Sequence, residues 1–267
     1  AIQNLIQIPP DDKIKAIIDV KNLDKKEELQ GKYVVLCTKK GIIKKTDLED
    51  FSRPRANGIN AITIIEGDEL LEAKLTDGDC EILMAVKSGR AIRFPEEKVR
   101  STGRGAIGVT GIDVNNGEDE VVGMICVNKG DTSKTVLVVS ANGYGKRTPL
   151  IDEDGEDVYR ITNRGGKGVK TINVTEKTGK LVGILDVTEK EDLIITCESG
   201  ITLRTSISTI KVAGRNTQGV ILIRLDAKDA IAAISKIEEQ DEENTTEEIN
   251  DTNETNNTLD NNSNNNN

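Results

Sequence analysis

YVVLCTKKGIIKKT (residues 33–46), EILMAVKSGRAIRF (81–94), TVLVVSANGYGKRT (135–148) and DLIITCESGITLRT (192–205) decide the fold. Each is an apolar, β-prone run, a polar turn ending in Gly, and a second short run carrying basic residues, the pattern of a β-hairpin. The turn glycines Gly41, Gly89, Gly143 and Gly200 are spaced by 48, 54 and 57 residues. Such an interval suits one blade of a repeated β architecture.

Outward from each hairpin lies a polar, Arg- and Gly-rich loop holding Gly58, Gly108, Gly168 or Gly219, and then two more strand candidates. The first reads AITII (61–65), GIDV (111–114), KTINV (170–174) and VILIRL (220–225); the second reads LLEAKL (70–75), VVGMICV (121–127), LVGILDV (181–187) and AIAAISKI (230–237). A fifth copy of the pair, LIQI (5–8) and IKAIIDV (14–20), has no hairpin before it, so the chain is expected to open in mid-repeat and to be cut from a longer protein. Four short strands per unit predict an all-β, propeller-like array of four-stranded blades, about four and a half of them, over residues 1–237. Residues 1–31 would end a preceding blade, and full repeats would lie near 32–79, 80–134, 135–191 and 192–237. Helix-friendly composition occurs only at 24–30 and 228–239, and the strand repeat claims the second. A β-helix or a row of independent hairpins is the alternative, which the regular four-strand unit argues against.

Composition removes whole function classes. With no His, the chain lacks the commonest proton shuttle and metal ligand. Cys37, Cys80, Cys126 and Cys197 are far apart with no C-x-x-C, and read as core thiols. Asp152, Glu153 and Asp154 lack the spacing of a calcium loop, so no metal site and no catalytic residue is expected. No apolar run approaches the ~18 residues of a membrane span, and no signal peptide is apparent, which predicts a cytoplasmic protein without a membrane partner.

The net charge of −10 is unevenly placed. Residues 238–267 hold ten Asp or Glu, eleven Asn and no Lys or Arg; 46 − 10 leaves 36 acids against 36 bases in the remainder. This acidic, Asn-rich tail lacks the apolar surface to offset its ordering and is expected to be disordered. Tethered beside basic surface, it would compete there with any other polyanion.

The body's bases follow the repeat. Four residues after each turn Gly stand Lys45, Arg93, Arg147 and Arg204. Chance would give four of four at one offset roughly 3 times in 10,000. Lys44 and Lys146 precede two of them, and Arg90 shares the strand of Arg93. A second set sits upstream of the loop glycines: Arg55, Arg104, Arg164 and Arg215, joined by Arg53, Arg100, Lys167 and Lys211. In a radial array both columns become a basic perimeter, suited to the regularly spaced phosphates of duplex DNA. Bases on strand edges could instead only face solvent and discourage aggregation. An aromatic fraction of 2% leaves no stacking platform for single strands, and the absence of a recognition helix argues against base readout. NRGGKGVKT (163–171) lacks Walker spacing, but its glycines allow close approach of a backbone, with Arg164 and Lys167 as phosphate donors.

ANGYGKRT (141–148), VAGRNTQGVILIR (212–224) and EGDELLEAKLTDG (66–78) resemble the C-terminal DNA-wrapping domain of the DNA gyrase A protein, over roughly residues 1–237. The resemblance implies a β-pinwheel whose blades exchange strands and whose basic edge wraps duplex DNA. It implies a bacterial, nucleoid-associated place in an A2B2 holoenzyme with the gyrase B protein, supporting ATP-dependent negative supercoiling. ATP and Mg would belong to other parts of that enzyme, with no cofactor in this chain, and Tyr33, Tyr144 and Tyr159 have no catalytic context. The family's Q-R-R-G-G-K-G box is echoed only in part at Thr162 to Gly168, in the third full repeat. Together with the headless strand pair, this predicts a missing first blade and a fragment that binds and bends DNA without supporting supercoiling. The C-terminal domain of the A-type protein of topoisomerase IV, or a propeller scaffold for protein partners, remains as an alternative. A scaffold would be favoured by buried, ion-paired basic columns together with apolar patches on the top face.

Overall fold

The computed structural model describes residues 12–55 and 57–237. The tail after Ile237 and the LIQI copy at 5–8 lie outside the described residues. A short helix α1 (Lys26–Leu29) precedes fifteen strands: β1 (Tyr33–Thr38), β2 (Ile42–Asp47), β3 (Leu70–Thr76), β4 (Cys80–Val86), β5 (Arg90–Pro95), β6 (Val109–Thr110), β7 (Val121–Asn128), β8 (Thr135–Ser140), β9 (Tyr144–Pro149), β10 (Val169–Lys170), β11 (Leu181–Val187), β12 (Asp192–Cys197), β13 (Thr202–Ser206), β14 (Val220–Ile221) and β15 (Ile231–Ile237).

All four expected hairpins form. Each lies in an antiparallel sheet, the strand orders being β3-β1-β2-β6, β7-β4-β5-β10, β11-β8-β9-β14 and β15-β12-β13. The inner strands β3, β7, β11 and β15 pack successively against one another, which puts the two-residue strands at the periphery. Among the described residues the result is a propeller of four blades, three four-stranded and one three-stranded.

The first hairpin strands β1, β4 and β8 are apolar and buried at nearly every position because both of their faces are covered. Ile82 and Met84 of β4 pack toward β1, with Val35 and Cys37, while the alternate residues Leu83 and Ala85 pack toward β8, with Val136 and Val138. Leu137 and Val139 then meet Leu193 and Ile195 of β12. Period-two alternation thus builds a core between each pair of blades. Each fully buried Leu, Ile or Phe there contributes about 1.5–3 kcal/mol. Cys37, Cys80 and Cys197 are buried, Cys126 is half-buried, and all four are free thiols.

Blades do not coincide with the contiguous repeats. β6 follows the hairpin of the second repeat but pairs with β2 of the first; β10 pairs with β5, and β14 with β9, in the same way. Each outer strand is therefore lent backward to the preceding blade. AITII (61–65) forms no strand, and its Thr63 amide instead donates to the Ala106 carbonyl at 3.2 Å. The IKAIIDV stretch is also unpaired as a strand, and its Ile18 and Val20 pack instead on the cluster of Leu29, Val34, Leu36 and Leu48.

Candidate nucleic-acid interface

The loops after the second, third and fourth hairpins each dock on the blade before them through one recurring contact. The backbones of Lys45, Arg93 and Arg147 bridge in parallel to Ser101, Ile161 and Val212. The Thr102, Thr162 and Ala213 amides donate to the carbonyls of the same three basic residues at 2.8 to 2.9 Å. That contact fixes where each loop carries its charge.

Eight residues before each loop glycine of the last three repeats stands Arg100, Arg160 or Lys211, and four before it Arg104, Arg164 or Arg215. The first three are exposed and the second three half-buried. Arg164 lays Nη1 on the Thr110 carbonyl at 3.0 Å, and Arg215 lays Nη1 on the Lys170 carbonyl at 2.9 Å, each bonding the short strand of the previous repeat. Arg215 also stands 5.8 Å over the Tyr159 ring. Arg53, Arg55, Arg90 and Lys167 are exposed as well. Arg160, absent from the sequence-based set, occupies the same register as Arg100 and Lys211, and counting back from Gly168 finds it.

The RGGKG segment bends over the neighbouring blade. The Gly165 amide donates to the Gly111 carbonyl at 2.6 Å, and Arg90 donates to the Lys167 and Gly168 carbonyls at 3.0 and 2.6 Å. Gly168 has φ +67°, and a Cβ there would lie 2.3 Å from the Ala91 carbonyl oxygen, so only glycine fits.

The fourth-after-glycine column does not face outward, which corrects the reading from the sequence. Lys45, Arg93 and Arg147 are buried, and only Arg204 is exposed. Arg93 donates to Glu81 at 2.7 Å, to Asp157 at 2.9 Å and to the Tyr159 carbonyl at 3.1 Å. Arg147 donates to the Ile210 carbonyl at 2.8 Å and to Glu189 at 3.1 Å. Lys45 lies 3.4 Å from the buried Glu96 carboxylate. These groups stitch blades together, because a buried cation needs paired acceptors. Lys44 and Lys146 are buried too. Lys44 donates to the Ala61 and Arg104 carbonyls at 2.7 and 3.2 Å, and Lys146 to the Gly214 and Arg215 carbonyls, the latter at 2.7 Å. Burial lowers Lys44 from the ordinary lysine value, with Asp50 raising it and Arg104 lowering it further. Burial, with Arg215 adding, lowers Lys146 to about 8.

Among the described residues no group of three or more His, Cys, Asp or Glu could hold a metal ion, and no helix is long and apolar enough to cross a membrane. A family model described as "DNA gyrase C-terminal domain, beta-propeller" matches residues 32–77, 81–128, 134–188 and 191–238. The chain belongs to that family.

The DNA gyrase A protein of Staphylococcus aureus strain NCTC 8325 / PS 47 is 40% identical over 224 residues, covering 84% of this chain and 24% of the relative. Its counterpart from strain MRSA252 is 41% identical over the same shares. The chain thus spans about a quarter of the length of the curated relatives it matches. Among solved structures, a DNA gyrase A C-terminal domain superposes with a TM-score of 0.72 at 26% identity, covering 88% of this chain and 74% of that one. A DNA topoisomerase IV C-terminal domain gives a TM-score of 0.77 at 20% identity over 89% and 70%, a likeness of fold alone.

Proposed function

We propose that this chain is the DNA-binding and DNA-wrapping part of a gyrase A protein. It would hold duplex DNA on its outer edge while the rest of the A protein, the B protein, ATP and Mg carry out strand passage in an A2B2 assembly in the bacterial cytoplasm. The observation that carries this reading is the register of Arg100/Arg104, Arg160/Arg164 and Lys211/Arg215, repeated on the perimeter loops of three successive repeats. Arginine and lysine at such spacing neutralise phosphates without reading bases, which suits wrapping of any sequence. The chain itself would do no bond chemistry and need no cofactor.

The burial of Lys45, Arg93 and Arg147 in ion pairs meets one condition for a protein scaffold. Membership of the gyrase family and the exposed loop bases outweigh it. The test is binding of residues 1–237 to duplexes of unrelated sequence at several salt concentrations. Affinity should fall steeply and equally for all of them as salt rises; salt-independent binding, or strong preference for one sequence, would overturn the reading.

A further inference from the structure

Three residues after the turn glycine, the four hairpins carry Lys44, Ile92, Lys146 and Leu203. An apolar residue therefore fills this strand position in two blades, and an ammonium is not needed to form the hairpin. Lys146 is nevertheless fully buried, and among the described residues no carboxylate lies within ion-pair distance of it. Its partners are two main-chain carbonyls, those of Gly214 and Arg215, in the loop that presents Lys211 and Arg215. An ammonium held only by carbonyls leaves its positive charge uncompensated beneath that loop.

We propose that Lys146 is a positioning residue for DNA contact: its ammonium ties down the loop of residues 210–219 from below, and the phosphates of bound DNA hold that side chain in its protonated form. The proposal rests on the DNA-binding reading above. The groups around Lys146 leave little else to set its charge. Strand β8 places Val138 opposite it, the loop brings Lys211 and Arg215, and Tyr159 lies under Arg215, while on its own strand Arg147 is turned to Glu189. Arg215 is the charged neighbour that bears on it, and it disfavours the protonated form. Phosphates arriving over the loop reverse that balance. Lys44 does the same for the loop of Arg100 and Arg104, but Asp50 offsets the repulsion there and weakens the linkage.

Two pH responses of opposite sign follow. The amine of the free protein is held near 8, below its unfolded value, so the folding penalty of burying its charge is present below pH 8 and is relieved as pH rises. DNA affinity runs the other way, falling as pH climbs through 8, by as much as about tenfold per unit if one proton is taken up. The clamp itself is read without DNA, because its loss exposes the loop backbone.

The experiment compares the full chain with Lys146→Ile, which imports the residue of the second blade, and with Lys146→Arg, which cannot lose its charge. The probe is a mixed-sequence duplex of about 40 base pairs, titrated between about pH 7 and pH 9.5 at fixed salt. Wild type should weaken severalfold over that range, Lys146→Ile should bind more weakly at pH 7 with a flatter profile, and Lys146→Arg should keep its affinity at high pH. Hydrogen exchange of the 210–219 amides at pH 7, without DNA, should quicken in Lys146→Ile while the β8 and β12 amides stay protected. Equal pH profiles in wild type and Lys146→Ile, or unchanged exchange in that loop, would overturn the proposal. Failure of all three proteins to bind duplex at pH 7 would sink the DNA-binding reading instead and leave the exchange result to decide the clamp.

Discussion

The Arg93 guanidinium lies 2.9 Å from the Asp157 carboxylate, joining the second hairpin to the loop region of the third repeat, and the same guanidinium bonds the buried Glu81 across its own hairpin. One side chain thus links two blades that share no strand pairing between their hairpins.

Truncating Arg93 would leave Glu81 buried without its cation. Arg93→Met should cost about 3–5 kcal/mol in urea unfolding, with much of it recovered in the double variant carrying Glu81→Leu. Arg204→Ala removes an exposed pair and should change stability by less than about 1 kcal/mol. Weaker DNA binding by Arg93→Met at unchanged stability would mean that Arg93 contacts DNA after all.

The loop bases should behave in the opposite way. Replacing Arg100, Arg160 and Lys211 together by Ala removes exposed charges, so the melting temperature should hold. Each lost phosphate contact lowers the slope of log affinity against log salt by about 0.9, and the triple variant should lose roughly 2–3 units. A triple variant with an unaltered slope would show that these bases only solvate the edge.

Gly168 tests the backbone of the RGGKG segment. Its positive φ and the Ala91 carbonyl below it leave no room for a methyl group, so Gly168→Ala should destabilise by at least about 1–3 kcal/mol and weaken duplex binding. The comparison is Gly58→Ala, which shares a positive φ but meets no atom within 4 Å and should cost less. Equal losses at the two sites would contradict the close approach at Gly168.

Truncation after Ile237 removes ten carboxylates and no Lys or Arg. If the tail competes for the perimeter, the shortened chain should bind duplex more tightly, and by a larger factor at low salt, where screening is weakest. Equal affinities at low salt would leave the tail without that role.

The hairpins were legible because runs such as ILMAV (82–86) and VLVV (136–139) are buried on both faces and bounded by glycine turns. The lending of outer strands was not, since two residues such as Val109 and Thr110 carry no periodicity, and their partner lies a full repeat away. The basic column at Lys45, Arg93 and Arg147 was real, but these side chains are buried against groups of the next repeat, Lys45 on Glu96, Arg93 on Asp157 and Arg147 on the Ile210 carbonyl. Repetition reveals that a position is constrained, and burial decides what constrains it. Arg160 is legible by the same arithmetic, since it stands as far before Gly168 as Arg100 before Gly108 and Lys211 before Gly219.

Wrapping is tested most directly by ligating relaxed circular DNA in the presence of residues 1–237 and reading the linking number after the protein is removed. The account predicts a shift of one sign that grows with the ratio of protein to DNA and disappears in the Arg100, Arg160 and Lys211 triple variant. An unchanged linking number at protein concentrations that saturate the duplex would contradict it.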